Sequence, residues 1–163
     1  MELTSELPEE GNTQEIKEFL IKHWGSTEIV SRGKVTDAIK IPRITARNSD
    51  GKLIGLLTYS IDKTSNSCEM ISIDSEIKCK GIGTKLIKML EDEVKQEGCK
   101  RIWFITTNDN LEALNFYIKN DYRFIAIHLN ALNLSRKLKP QIPKVGKNGI
   151  LLQDEWEFEK IRS

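Results

Sequence analysis

Met70-Ile71-Ser72-Ile73-Asp74-Ser75-Glu76-Ile77-Lys78-Cys79-Lys80-Gly81-Ile82-Gly83-Thr84-Lys85-Leu86 is the stretch whose reading decides the fold. Ile71 and Ile73 alternate with polar residues as a strand does, a polar break follows, and Ile82, Leu86, Ile87, Leu90 and Val94 then recur at helical spacing. A strand therefore passes into a helix through a loop that carries Gly81 and Gly83. The first N–H groups of a helix have no internal partners and share about half a positive charge, and glycine lets a phosphate approach such backbone closely. The turn is suited to hold a pyrophosphate.

Spacing narrows the ligand. A dinucleotide fingerprint needs a third glycine where Leu86 stands, and a Walker-type loop needs Gly-Lys-Ser/Thr where the chain reads Gly83-Thr84-Lys85. What remains is Lys78-x-x-Gly81-x-Gly83, which resembles the coenzyme A loop of the GNAT superfamily of N-acetyltransferases, where Arg or Gln usually stands at the position of Lys78. Two glycines before a helix also serve as a plain tight turn. Further on, after the apolar strand Ile102–Thr106, Asn110-x-x-Ala113-x-x-Phe116-Tyr117 resembles the second signature of that superfamily, an Asn capping a helix and a Tyr near its end. The usual Gly-Phe after this helix is replaced by Asp121-Tyr122, which touches the helix stop and not the chemistry. The resemblance covers about residues 12–128. The tail, with Lys139-Pro140-Gln141-Ile142-Pro143, Gly149-Ile150 and Asp154-Glu155, is similar to the ending of one uncharacterised bacterial-type GNAT subgroup. That subgroup also shares Trp24-Gly25-Ser26 and Thr106-Thr107-Asn108-Asp109-Asn110.

The resemblance implies an α/β (α+β) chain with the GNAT fold: a mixed, mostly antiparallel central sheet, helices on both faces, and a splayed cofactor cleft. It implies acetyl-CoA as co-substrate, no metal, and direct transfer of the acetyl group to a primary amine of a small molecule or a protein. The strand at Ile71 and Ile73 would offer backbone groups to the pantetheine. Backbone amides of Lys78, Cys79, Lys80, Gly81, Ile82, Gly83 and Thr84 would take the pyrophosphate, and Asn110 and Ala113 would flank the cofactor arm.

Composition sets the frame. A chain of 163 residues with 39% apolar content suits one domain over residues 1–163, with 130–163 as a C-terminal extension. Charged residues reach 30% but the net charge is +1, so no field draws in nucleic acid or an acidic membrane. Cys68, Cys79 and Cys99 are odd in number and widely spaced, which disfavours a disulfide framework or zinc site and fits a reducing cytoplasm. Neither a signal-peptide pattern nor an apolar run of about 20 residues occurs.

Leu3 to Leu7 reads as an edge strand or a frayed end. Asn12-x-x-Glu15 resembles a capping box before Ile16, Phe19, Leu20 and Trp24, predicting a helix over about 13–23 that Gly25 stops. The stretch with Ile29, Val30, Gly33 and Val35 reads as irregular; in a GNAT fold it would cover the acceptor end of the cleft. Trp24 is either a core anchor or an acceptor contact. A meander of three strands, 44–47, 53–61 and one from Cys68, is set by Asp50-Gly51 and by the turn 63–67. Helix 83–97, strand 101–107, helix 111–120 and strand 122–129 follow. Trp156 and Phe158 share one face of a final strand, and Ile150-Leu151-Leu152 raises the prospect of a homodimer.

Acetyl transfer from a thioester to an amine needs an acid for the departing thiolate and a base for the amine. Tyr117 matches the superfamily's acid position; a phenol near ~10 can protonate a thiolate whose thiol titrates near ~8.5. Its plainer role is a packed ring beside Phe116. Glu69, expected on the same side as Ile71 and Ile73, is the candidate base, or else it sits at a solvated strand end; Asp154, Glu155 and His128 are lesser candidates. Asn110 serves as cap, as cofactor contact, or as both. Lys78 and Lys80 add charge to the loop or are merely solvated, and Cys79, with no histidine near it in sequence, reads as a spacer. A non-catalytic acyl-CoA-binding or sensor module is the alternative function.

Overall fold

The computed structural model describes residues 1–162. The elements in order are β1 (Glu2–Glu6), α1 (Thr13–Trp24), β2 (Glu28–Ser31), β3 (Lys34–Asp37), β4 (Arg43–Arg47), β5 (Leu53–Asp62), β6 (Ser67–Ser75), α2 (Ile82–Gln96), β7 (Arg101–Thr107), α3 (Leu111–Lys119), β8 (Arg123–His128), α4 (Ala131–Leu138) and β9 (Glu155–Ile161). Seven strands form one sheet in the order β1-β4-β5-β6-β7-β9-β8, antiparallel throughout except for the β6–β7 pair. This is the mixed, mostly antiparallel sheet that the resemblance implies.

Helices cover both faces. The apolar stripe of α2 (Ile82, Leu86, Ile87, Leu90, Val94) packs with Ile44, Leu57, Met70, Ile102, Phe104 and Phe158, joined by Tyr117 of α3. Burying each such Leu or Ile contributes about 1.5–3 kcal/mol. On the other face, Ile16, Phe19 and Leu20 of α1 meet Leu53, Leu56 and Ile71. The start of α1 is the expected one, since Asn12 accepts from the Glu15 N–H, and Gly25 ends it at φ 75° with its N–H on the Ile21 carbonyl. Trp156 and Phe158 do share the face toward the first core.

Two elements differ from the sequence reading. Residues 28–37 are a hairpin, β2–β3, closed by Arg32 and Gly33, both at positive φ as a two-residue turn demands. Residues 131–138 are a helix that buries only Leu132 and Ser135 and leaves Leu134 and Leu138 exposed. The Ile150-Leu151-Leu152 run is partly spent within the chain, for Leu152 is buried and Leu151 is exposed.

The site originates where β6 and β7 part. They pair only from Ser67↔Arg101 to Glu69↔Trp103, whereas β6 stays on β5 as far as Gly55↔Ser75 and β7 stays on β9 as far as Thr107↔Glu155. Each strand keeps its outer neighbour while the inner edges diverge. Main-chain polar groups along those edges are therefore left for a ligand or solvent.

A bulge accompanies the split. Tyr59 pairs with Met70 and Thr58 with Ser72, so Ile71 is the extra residue. Ile71 packs on the α1 side and Ile73 against the α2 core. The expectation that Glu69, Ile71 and Ile73 share one side is thus corrected: the extra residue reverses the alternation after Ile71. Asp74, not Ile73, falls beside α1.

Candidate active site

A cavity of about 250 Å³ fills the wedge between β6 and β7. Ile71, Ser72, Ile73 and Asp74 form one wall and Phe104 to Thr107 the other; His23 and Trp24 of α1, Ile29 to Ser31 of the hairpin, and Tyr117 close it. Lys147 and Glu155 reach it from the tail.

Tyr117 is placed by a capped helix and an aromatic cluster. Asn110 Oδ1 accepts from the Ala113 N–H at 3.4 Å and its Nδ2 donates to Thr106 Oγ1 at 3.2 Å, tying the start of α3 to the end of β7. The Tyr117 ring lies 3.9 Å from that of Phe104, with Phe158 and Tyr122 around it. Burial first, and then the charge of Asp74, push its phenol well above the ordinary range, and among the described residues no hydrogen bond acts on it. Tyr117 lines the cavity with its phenol neutral over the ordinary pH range. Asp121, at φ 67°, takes the left-handed position after α3, and Tyr122 is buried.

Beyond β6 the chain turns through Lys78, Cys79 and Lys80, all exposed, into α2. Cys79 has φ 60° and Gly81 φ 75°, and α2 begins with no side-chain cap. Its first N–H groups, those of Ile82, Gly83 and Thr84, are therefore open to an anion. Gly81 faces open space, so its backbone conformation is what requires glycine there. Gly83 answers a different need, because a Cβ would lie 2.9 Å from Cζ of Phe116. Its missing side chain makes room for α3.

Ile71, Ile73, Asn110, Tyr117 and Trp24 thus stand on the cavity wall, Lys78 to Thr84 form the loop beyond it, and Ala113 packs behind Asn110 against the core. Trp24 is 40% exposed and donates its indole N–H to Asp74, which removes it as a core anchor. Glu69 is not on the wall. It is buried, with Lys34 Nζ at 3.1 Å and Ser31 Oγ at 3.5 Å, and so fastens the β2–β3 hairpin to the sheet. Glu155 is on the wall, buried, with the Arg32 N–H at 3.1 and 3.3 Å from its two oxygens. Burial raises its carboxyl above the ordinary range, against the Arg32 N–H and the charges of Arg32 and His128. Asp154 accepts from the Asn130 N–H and His128 pairs with Glu157 at 2.9 Å, both away from the cavity.

Sequence reasoning missed Asp74, His23 and Lys147. Burial raises the Asp74 carboxyl, opposed by the Trp24 N–H and by the charges of His23, Lys78 and Lys147. Lys147 arrives through the Thr107-to-Asn110 segment, which staples the tail. Asp109 accepts from the Thr107 hydroxyl and, at 2.8 Å, from the Lys147 N–H. Asn108 accepts from the Gln153 and Asp154 N–H groups and donates to the Leu151 carbonyl.

Residues 13–122 match the acetyltransferase (GNAT) family. The uncharacterised protein YdhI of Bacillus subtilis (strain 168) is 43% identical over 146 residues, 90% of each chain. Among solved structures, a Bacillus subtilis acetyltransferase in complex with CoA superposes with TM-score 0.69 at 20% identity, covering 99% of this chain and 100% of that one. An IAA acetyltransferase from Bacillus cereus ATCC 14579 does so with TM-score 0.74 at 18% identity, covering 98% and 99%.

Proposed function

Since the chain belongs to the acetyltransferase (GNAT) family, we propose that it moves the acetyl group of acetyl-CoA directly to a primary amine, with Tyr117 as the general acid. One observation carries this reading. The parted inner edges of β6 and β7 lead into the uncapped start of α2, and Tyr117 lines the cavity between them.

The N–H and C=O groups of the β6 edge hold the pantetheine amides, and the amides from Lys78 to Thr84 hold the pyrophosphate. The amine nitrogen attacks the thioester carbonyl carbon, a C–N bond forms and the C–S bond breaks. The Tyr117 hydroxyl gives its proton to the departing sulfur, and a carboxylate takes one from the amine, leaving an amide and free CoA thiol. Glu155 is better sited for that proton than Glu69, because it lies on the wall and Glu69 is held by Lys34. Asn110 both caps α3 and borders the cofactor arm, and Trp24 borders the acceptor side.

Calorimetric titration with acetyl-CoA, NAD and ATP, followed by thiol release over a panel of amines, tests the proposal. Tight acetyl-CoA binding with amine-dependent thiol release is expected. Binding without release on any amine would leave a sensor; preference for NAD or ATP would refute the cofactor assignment.

A further inference from the structure

We infer that Lys147 recognises a carboxylate on the acceptor, so that the amine this site receives belongs to an amino-acid-like zwitterion. The inference rests on the acceptor side of the proposed transfer reaction.

The tail loop is fastened at several points. The Lys147 N–H is bound by buried Asp109, the Gly146 N–H reaches the Ile150 carbonyl at 2.8 Å, and the Leu152 N–H reaches that of Lys144 at 2.9 Å. Gly146 leaves no space for a side chain, since a Cβ would stand 2.2 Å from Asp109 Oδ2 and 2.8 Å from Leu152 Cγ. These constraints act on the backbone of residues 144–152 and bring Lys147, exposed, to the cavity lining, where its charge reaches Asp74 but its ammonium makes no hydrogen bond to the described residues.

The charges around the cavity are unequal in what they still need. Asp74 has the Trp24 indole N–H, Asp109 has the Thr107 hydroxyl and the Lys147 N–H, and Glu155 has the Arg32 N–H. Among the described residues, the Lys147 ammonium enters no ion pair. An acceptor that places an anion there and its amine toward Glu155 complements both signs at once, which a polyamine does not. The cavity, about 250 Å³ and open to solvent, has room for the amino and carboxylate groups of such an acceptor.

The test uses the full chain loaded with CoA and reads binding, so that it does not depend on turnover. Wild type, Lys147→Met and Lys147→Arg are titrated with α-amino acids and with the matching carboxamides. A charge-assisted contact predicts about tenfold to a hundredfold tighter binding of the acids. That preference should vanish in Lys147→Met and persist in Lys147→Arg, with affinity for CoA unchanged. Equal binding of acids and amides by wild type, tighter binding of diamines, or a Lys147→Met variant that loses only CoA affinity would each overturn it. Acid-selective binding without acetyl transfer would sink the transfer reading and leave this one standing.

Discussion

Tyr117→Phe isolates one proton from everything else the residue does. The ring's contacts, 3.9 Å to Phe104 and 5.8 Å to Phe158 between centroids, are kept by phenylalanine. Among the described residues the deleted hydroxyl has no partner to strand. Stability should therefore stay within about 0.5 kcal/mol, or under about 2 °C in Tm. A general acid is worth about 10²–10⁴ in rate, or roughly 3–5 kcal/mol of barrier, and the loss should fall on kcat with KM for acetyl-CoA unchanged. The assay is thiol release with a saturating acceptor, alongside thermal denaturation. Because burial and the Asp74 charge hold the phenol above its ordinary 10.0, the wild-type rate should show no alkaline decline from this group up to about pH 10. A Tyr117→Phe enzyme keeping more than about a tenth of kcat would refute the acid role; so would an alkaline limb below that pH which the variant abolishes.

Gly83→Ala forces a Cβ to 2.9 Å from Phe116, and should cost about 1–3 kcal/mol and weaken acetyl-CoA binding as α2 shifts; an unchanged Tm and Kd would contradict this. Glu155→Gln addresses pH. The native Glu155 carboxyl lies above its ordinary 4.5, so its stabilising contribution is whole below that value and is lost as pH rises through the native one. Wild type should lose stability relative to Glu155→Gln over that window, and parallel Tm-versus-pH curves would speak against it. If Glu155 is the base, Glu155→Gln should lower kcat by about 10²–10⁴, whereas Glu69→Gln, which loosens the hairpin, should chiefly raise the acceptor KM. The reverse pattern in steady-state kinetics would restore Glu69 to that role.

Most of the sheet and helix order could be read in advance, because caps, turns and apolar periods are interactions among residues a few positions apart. Asn12, Gly25, Asp50-Gly51 and the α2 stripe marked their elements. The β2–β3 hairpin and α4 escaped because one has strands of four residues and the other buries only two residues.

The sequence by itself determined the strand-loop-helix with Gly81 and Gly83 and the capped helix that carries Tyr117, since both are local. Only the tertiary structure decided which side chains meet in the cavity. The extra residue at Ile71 turned Asp74 toward α1, and contacts spanning 35 residues (Lys34 to Glu69), 38 (Asp109 to Lys147) and 50 (Trp24 to Asp74) assembled its walls. Such pairings depend on how the whole sheet splays, and no short-range pattern encodes them.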